Sequence, residues 1–176
     1  MSMDSSVAGM RCLGVHFALT AEEVARLRAI EDGPARIEYL QEEIEERYFE
    51  EPMEFAAESD RAWDAMHRAL AGGSLTWDGG SYPLNHTVLG GESLHEGGDY
   101  IMSLKTPEQV KAVAAGLVHM TIEEFRRRYE AIDARDYVAG LSEEDFGYTW
   151  EWFVGVRDLY CLAAEKGRYI LFTADQ

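Results

Sequence analysis

Arg168-Tyr169-Ile170-Leu171-Phe172-Thr173 (RYILFT) reads as a strand that is apolar on both faces. Such a strand belongs in the interior of a sheet, covered from either side. Gly167 precedes it and stops the helix upstream. That helix is the longest in the chain. It opens at Ser142 with Asp145, and its inward stripe is Phe146, Trp150, Phe153, Val156, Tyr160 and Ala163. A layer of sheet with at least one long aromatic helix packed on it is therefore the starting point.

The N-terminal side supplies a second strand. In Arg11–Leu19 (RCLGVHFAL), Leu13, Val15, Phe17 and Leu19 share one face at period two. Cys12, Gly14, His16 and Ala18 share the other, whose small residues admit close approach by another element. Thr20-Ala21-Glu22-Glu23 fits a capping box and opens a short helix with Val24, Leu27 and Ile30 inward. Asp32-Gly33-Pro34 interrupts it. A second helix follows from about Ala35 to Phe49, with Ile37, Leu40, Ile44 and Tyr48 on one stripe. A third is predicted from Ser59 or Asp60 to Leu70, closed by Ala71-Gly72-Gly73.

Residues 74–99 are rich in glycine, with short strands expected at Leu75–Trp77 or Thr87–Leu89. Tyr100–Leu104 is a clearer strand. Thr106-Pro107-Glu108-Gln109 then caps a helix with Val110, Val113, Ala114 and Leu117 inward. Thr121-Ile122-Glu123-Glu124 opens another, with Ile122, Phe125 and Tyr129 inward. Strands and helices do not alternate regularly. The fold class is α+β: a single domain at residues 10–176, a small mixed β-sheet with several packed helices, after an N-terminal extension at residues 1–9.

Composition narrows the function classes. At 176 residues, with 47% apolar and 28% charged, the chain can bury a core unaided. The net charge of −17 disfavours nucleic acid and anionic membranes as partners. No apolar run approaches the ~20 residues a spanning helix needs, and the first residues lack the pattern of a signal peptide, so the cytoplasm is expected. Cys12 and Cys161 have no neighbour at CxxC spacing and are expected as two buried thiols. Residues 20–60 carry 14 acids against 4 arginines, a local net of −10. Such a face can steer a basic protein partner, with Glu42, Glu46 and Glu50 its solvent-facing members.

Several segments in order resemble a known family: the DRAWDAMHRAL helix, the VLGGESL turn, KTPEQVKAVAAGL followed by TIEEFRRRYE, and the closing aromatic helix with AAEKG and an apolar strand. From about Met10 to Thr173 the chain resembles the YfbM-like family of bacterial proteins of unknown function. The resemblance implies an α+β domain in a bacterial cytoplasm and carries no activity with it.

Candidate chemistry is sparse. On the predicted third helix, Asp60, Asp64 and His67 fall at i, i+4 and i+7, where a carboxylate can orient an imidazole. The plainer reading makes Asp60 a cap and His67 a core-margin residue bonded to backbone. His86, Glu92, His95 and Asp99 are ligand types without the spacing of any metal motif, so no metal and no cofactor are expected. Gly90-Gly91-Glu92 lacks the Lys-Ser/Thr of a phosphate loop, and a positive-φ turn explains the two glycines. Trp63 and Trp150 fall on core stripes, whereas Trp77 and Trp152 are placed for a pocket or interface. Two functions remain in view. One is a binding module, immunity- or antitoxin-like, that meets a basic partner through the acidic helical segment Glu38–Glu58. The other is a hydrolase-like enzyme with a cleft formed by His67, Asp64, Gly90, Gly91, Glu92 and Asp99.

Overall fold

β5 (Tyr169–Asp175) lies at the centre of a five-stranded sheet, as its two apolar faces require. The structure is a computed structural model that describes residues 12–176; the extension expected at residues 1–9 lies outside the described residues. The other strands are β1 (Gly14–Leu19), β2 (Ala56–Asp60), β3 (Glu92–Ser93) and β4 (Tyr100–Lys105), in the order β2-β1-β5-β4-β3. In register, His16 of β1 faces Phe172 of β5, which faces Ser103 of β4.

Helices cover both sides. On one lie α1 (Ala21–Ala29), α2 (Gly33–Tyr39), a π-helical segment (Leu40–Glu45) and α3 (Glu46–Tyr48). Val24, Leu27, Leu40 and Ile44 there meet Phe17, Leu19, Met102, Leu104 and Leu171. On the other lie α4 (Trp63–Leu70), α5 (Pro107–Leu117), α6 (Ile122–Glu130) and α7 (Glu143–Lys166). Their apolar stripes meet Ala18, Ile170, Phe172 and Ala174 in the larger cluster. Alternate residues of β5 thus serve two cores. Phe153 of α7 is fully buried and stacks on Phe125 of α6 with ring centroids 4.6 Å apart.

Four of the helix starts and the stop at Gly167 form as the sequence signals, whereas the helix expected from Ala35 to Phe49 is interrupted by the π-helical turn at Leu40–Glu45. Thr20 with Glu23, and Thr106 with Gln109, form full capping boxes. Thr121 and Ser142 cap their helices through the side chain, and Gly167 ends α7 at φ 68. The small face of β1 also has its use. A Cβ on Gly14 would lie 2.7 Å from Ser59 Oγ, 2.7 Å from the Trp63 ring and 2.9 Å from the Phe172 ring. Gly14 therefore lets Trp63 seat against the sheet.

Several expectations need correction. The sheet is antiparallel at every pairing, not mixed. Ser59 and Asp60 end β2 rather than open a helix. Asp60 turns the chain at φ 47, and α4 starts at Trp63 with no side-chain cap. The strand Ala56-Ala57-Glu58-Ser59-Asp60 lacks β-branched or aromatic residues, so its strand character comes from pairing with β1 alone. Leu75–Trp77 and Thr87–Leu89 form no strands. Ile122 is 40% exposed, because it sits in the first turn of α6 where the helix has not yet met the core. Cys12 and Cys161 are free and only half-buried.

Replacing Phe153 by Ala is expected to cost ~3–5 kcal/mol, read as a lowered denaturant midpoint at unchanged slope. Gly14→Ala is expected to cost ~1–3 kcal/mol by overpacking against Ser59, Trp63 and Phe172. A midpoint equal to the wild type's would show that the Trp63 ring yields freely at that contact.

Candidate functional site

The residues suggested by sequence as one pocket are spread over different surroundings. His67 is fully buried on α4. Its Nε2 lies 2.6 Å from Thr76 O, and its Nδ1 accepts from the Leu89 amide at 3.4 Å. Burial holds its pKa down to about 4, so it is neutral. Asp64 does not orient it. Asp64 pairs at 2.5 Å with Arg68, which also reaches Asp136 at 2.9 Å. Gly90 and Gly91 adopt φ of 85 and 75 and turn the chain into β3. A Cβ on Gly91 would lie 2.3 Å from Leu104 O. Glu92 is exposed and pairs with Arg28 at 2.8 Å. Asp99 is exposed and pairs with His95 at 2.9 Å. His86 bonds Asn85 Oδ1 through Nδ1 at 2.7 Å. Among the described residues, no three His, Cys, Asp or Glu side chains converge as a metal-ligand set.

His67 instead belongs to a buried polar layer beneath the irregular segment 84–91. From β1, His16 Nε2 donates to Thr87 O at 2.8 Å. From α7, Tyr160 Oη donates to His86 O at 3.0 Å and Thr87 O at 2.8 Å. From β4, Ser103 Oγ donates to Gly90 O, and Lys105 Nζ donates to Val88 O and to Ser103 Oγ, the last at 2.6 Å. His16, Ser103, Lys105 and Tyr160 are all fully buried. Desolvation drives the Lys105 pKa well down, and desolvation with nearby Lys105 holds His16 at about 3. The layer satisfies loop carbonyls that water cannot reach.

The open site lies at the other end of the sheet. A cleft of about 480 Å³ is lined by Leu13, Gly14 and Val15 from the start of β1, by Glu58 and Asp60 from β2, and by Thr173 and Asp175 from β5. Tyr100 opens β4, the π-helical segment adds Gln41 and Glu45, and Phe49 and Trp152 complete the wall. Among the described residues, four carboxylates line it and no Lys, Arg or His does. None of the four pairs with a basic side chain among the described residues. Burial and the neighbouring Asp175 raise the pKa of Glu45. Tyr100 is 7% exposed and is raised in turn by burial, Glu45 and Asp175, while Thr173 and Gln41 hydrogen-bond its hydroxyl. A second hollow of about 380 Å³ shares Glu58 and Trp152 with the cleft and adds Met53, Ala56, Ala57, Glu151 and Gly155. Together they run along β2, the edge strand.

Sequence reasoning reached part of this. Of the two tryptophans that the sequence places for a pocket or interface, Trp152 lines both hollows, whereas Trp77 lines neither and its indole donates to Gly91 O at 3.4 Å. Glu45 and Glu58 lie within the acidic segment Glu38–Glu58, whose Glu42, Glu46 and Glu50 are exposed as expected. Asp60, Asp175, Tyr100 and Gln41 carried no signal as a group, because four separate elements bring them together. The π-helical segment had no signal either. Its wider turn stacks Leu40 with Ile44 on the core and Gln41 with Glu45 on the cleft.

Known proteins can be set beside this geometry. No helix among the described residues is long and apolar enough to cross a membrane. No curated protein matches the chain. The chain is similar to the crystal structure of YfbM from Escherichia coli, a protein of unknown function, at 19% identity and a TM-score of 0.60, covering 92% of this chain and 99% of that one. That likeness concerns the fold. The family described as a domain of unknown function (DUF1877) matches residues 10–173, and this chain belongs to that family.

Proposed function

We propose that the protein is a binding module that takes a basic polypeptide segment into the cleft between β2, the π-helical segment and Trp152. One observation carries the reading: four carboxylates and three aromatic rings line a cavity to which none of the described residues brings a basic side chain. Glu45 is half-buried beside Asp175, an arrangement costly to the free protein that a cationic ligand offsets. Phe49, Tyr100 and Trp152 suit the methylene stem and charged head of Lys or Arg. The spread of the carboxylates, and the second hollow along β2, favour an extended ligand over a point charge. The exposed Glu42, Glu46 and Glu50 extend the negative field outward and act on approach rather than on the bound state. An immunity- or antitoxin-like role is one form such a module takes. The hydrolase reading has less to support it, since His67 is sealed from solvent and spent on backbone groups.

A short oligolysine peptide is the probe, followed by calorimetry and by the fluorescence of Trp152. Binding is expected at low salt and should weaken as the Debye length falls below ~8 Å. Glu45→Gln combined with Asp175→Asn should weaken it by on the order of tenfold, or ~1.4 kcal/mol, at unchanged thermal stability or a slight gain. Reversal of Glu42, Glu46 and Glu50 to Lys should slow association and leave dissociation nearly unchanged. Equal affinity in the cleft variant and the wild type would remove the cleft from the binding site.

The pH profile gives an independent check. Burial and Asp175 raise the pKa of Glu45, so acidification neutralises it more readily than an ordinary carboxylate and peptide affinity should fall with it. Glu45→Gln should lower the affinity and flatten that upper limb of the profile.

A further inference from the structure

We propose that the loop Leu84–Gly91 is an acid-released latch, held shut by the buried imidazoles of His16 and His67 and the donors around them, that opens as those imidazoles become charged. The geometry is that of a loop tied to the body through its carbonyls. His86 O and Thr87 O are bound by Tyr160, Thr87 O also by His16, Val88 O by Lys105, and Gly90 O by Ser103. The Leu89 amide is bound by His67 Nδ1. Within the loop, hydrogen bonds that close on themselves are confined to the single turn at Leu84–His86, as in Thr87 N to Leu84 O at 3.1 Å. The layer below therefore carries most of the loop's polar anchoring, with Trp77 Nε1 donating to Gly91 O at 3.4 Å beside it and Val88 and Leu89 seated in the core.

The groups facing the loop are almost all of one sign. β1 contributes His16, β4 contributes Lys105, α4 contributes His67 and Arg68, and the loop itself contributes half-buried His86. α7 contributes the neutral phenol of Tyr160, and Gly116 of α5 packs on Leu84. No carboxylate appears among the influences on His16, His67, His86 or Lys105; the two that do stand nearby, Asp64 and Asp136, are engaged by Arg68. A proton added to the layer thus meets no counter-charge.

His16 at about 3 and His67 at about 4 lie below the ordinary histidine value of 6.5, which each regains once the loop lifts and water enters. Closure is then fully favoured above that ordinary value and is lost progressively as pH falls towards the two depressed values. Lys105, also depressed, acts in the same direction. The Nδ1 of His67 accepts a hydrogen bond from Leu89, so its protonation also turns an acceptor into a second donor facing a donor. Opening uncovers Val88 and Leu89, which belong to the larger core cluster, and gives solvent access to Ser103 and Lys105.

Hydrogen exchange on the full chain, corrected for the intrinsic pH dependence of amide exchange, reads the latch directly. Between about pH 7 and about pH 4.5, protection over residues 84–91 should drop by on the order of a hundredfold or more while protection in β5 and the core of α7 holds. His67→Gln and His16→Gln keep a donor for the carbonyl but do not titrate, and each should reduce the acid response of the loop. Histidine ring resonances in the wild type supply a measurement that needs no variant, and His16 and His67 should stay neutral in the closed protein at pH 5. Titration of both rings near their ordinary value would overturn the proposal. So would loss of loop protection only together with that of β5, or an acid response equal to the wild type's in both variants.

Discussion

An irregular loop pressed against a sheet loses water from its carbonyl oxygens and has no ladder to replace it. Segment 84–91 is in that position, and the protein answers with side chains rather than backbone. Each unsatisfied carbonyl in such a place costs ~1–3 kcal/mol, so the donors beneath are obligatory. That requirement explains why His16, Ser103 and Lys105 occupy one face of the sheet where apolar residues would otherwise stand. His16 and Ser103 flank Phe172 in register, and Lys105 lies over the Phe172 ring at 5.9 Å. It also explains the placement of the loop turn, since Gly90 and Gly91 bring the chain from this layer into β3 against Leu104.

The two faces of the sheet have diverged accordingly. The face under α4–α7 holds the larger core and the buried polar layer. The face under α1–α3 holds a smaller apolar core that ends short of the strand termini. There the π-helical segment carries Gln41 and Glu45 over the open end, and the cleft forms between that segment, the strand ends and Trp152. A widened helical turn is a costly local geometry that persists when the surroundings hold it, and such turns recur at functional sites. Here Leu40 and Ile44 fix it to the core from below.

The contrast between the two sets of ionisable groups gives the functional reading its shape. The basic groups that look chemical in the sequence, His67 above all, are consumed by structure: buried, neutral and bonded to backbone. Of the acids that line the cleft, Asp60 accepts from Tyr148, while Glu45, Glu58 and Asp175 enter no ion pair among the described residues. Glu45 is half-buried, its pKa raised by burial and Asp175, and faces a cavity to which no described residue brings a cation. Free capacity for interaction lies with the acids.

The sequence by itself determined the elements whose cause is local. Capping at Thr20, Thr106, Thr121 and Ser142, the stop at Gly167 and the inward stripe of α7 follow from hydrogen bonding and period within a few residues. The central place of RYILFT followed from its composition, because only a doubly covered strand tolerates two apolar faces. Tertiary structure alone decided what depends on partners distant in the chain. Ala56–Asp60 is a strand because β1 pairs with it, and Asp60 left the helix that its spacing to Asp64 and His67 had suggested. Lys105, whose charge marks it for the surface, is buried because Val88, 17 residues earlier, needs a donor. The cleft took Glu45, Glu58, Asp60, Tyr100, Trp152 and Asp175 from separate elements. Periodicity records which way a side chain points along its own element, and carries nothing about which other element will meet it there.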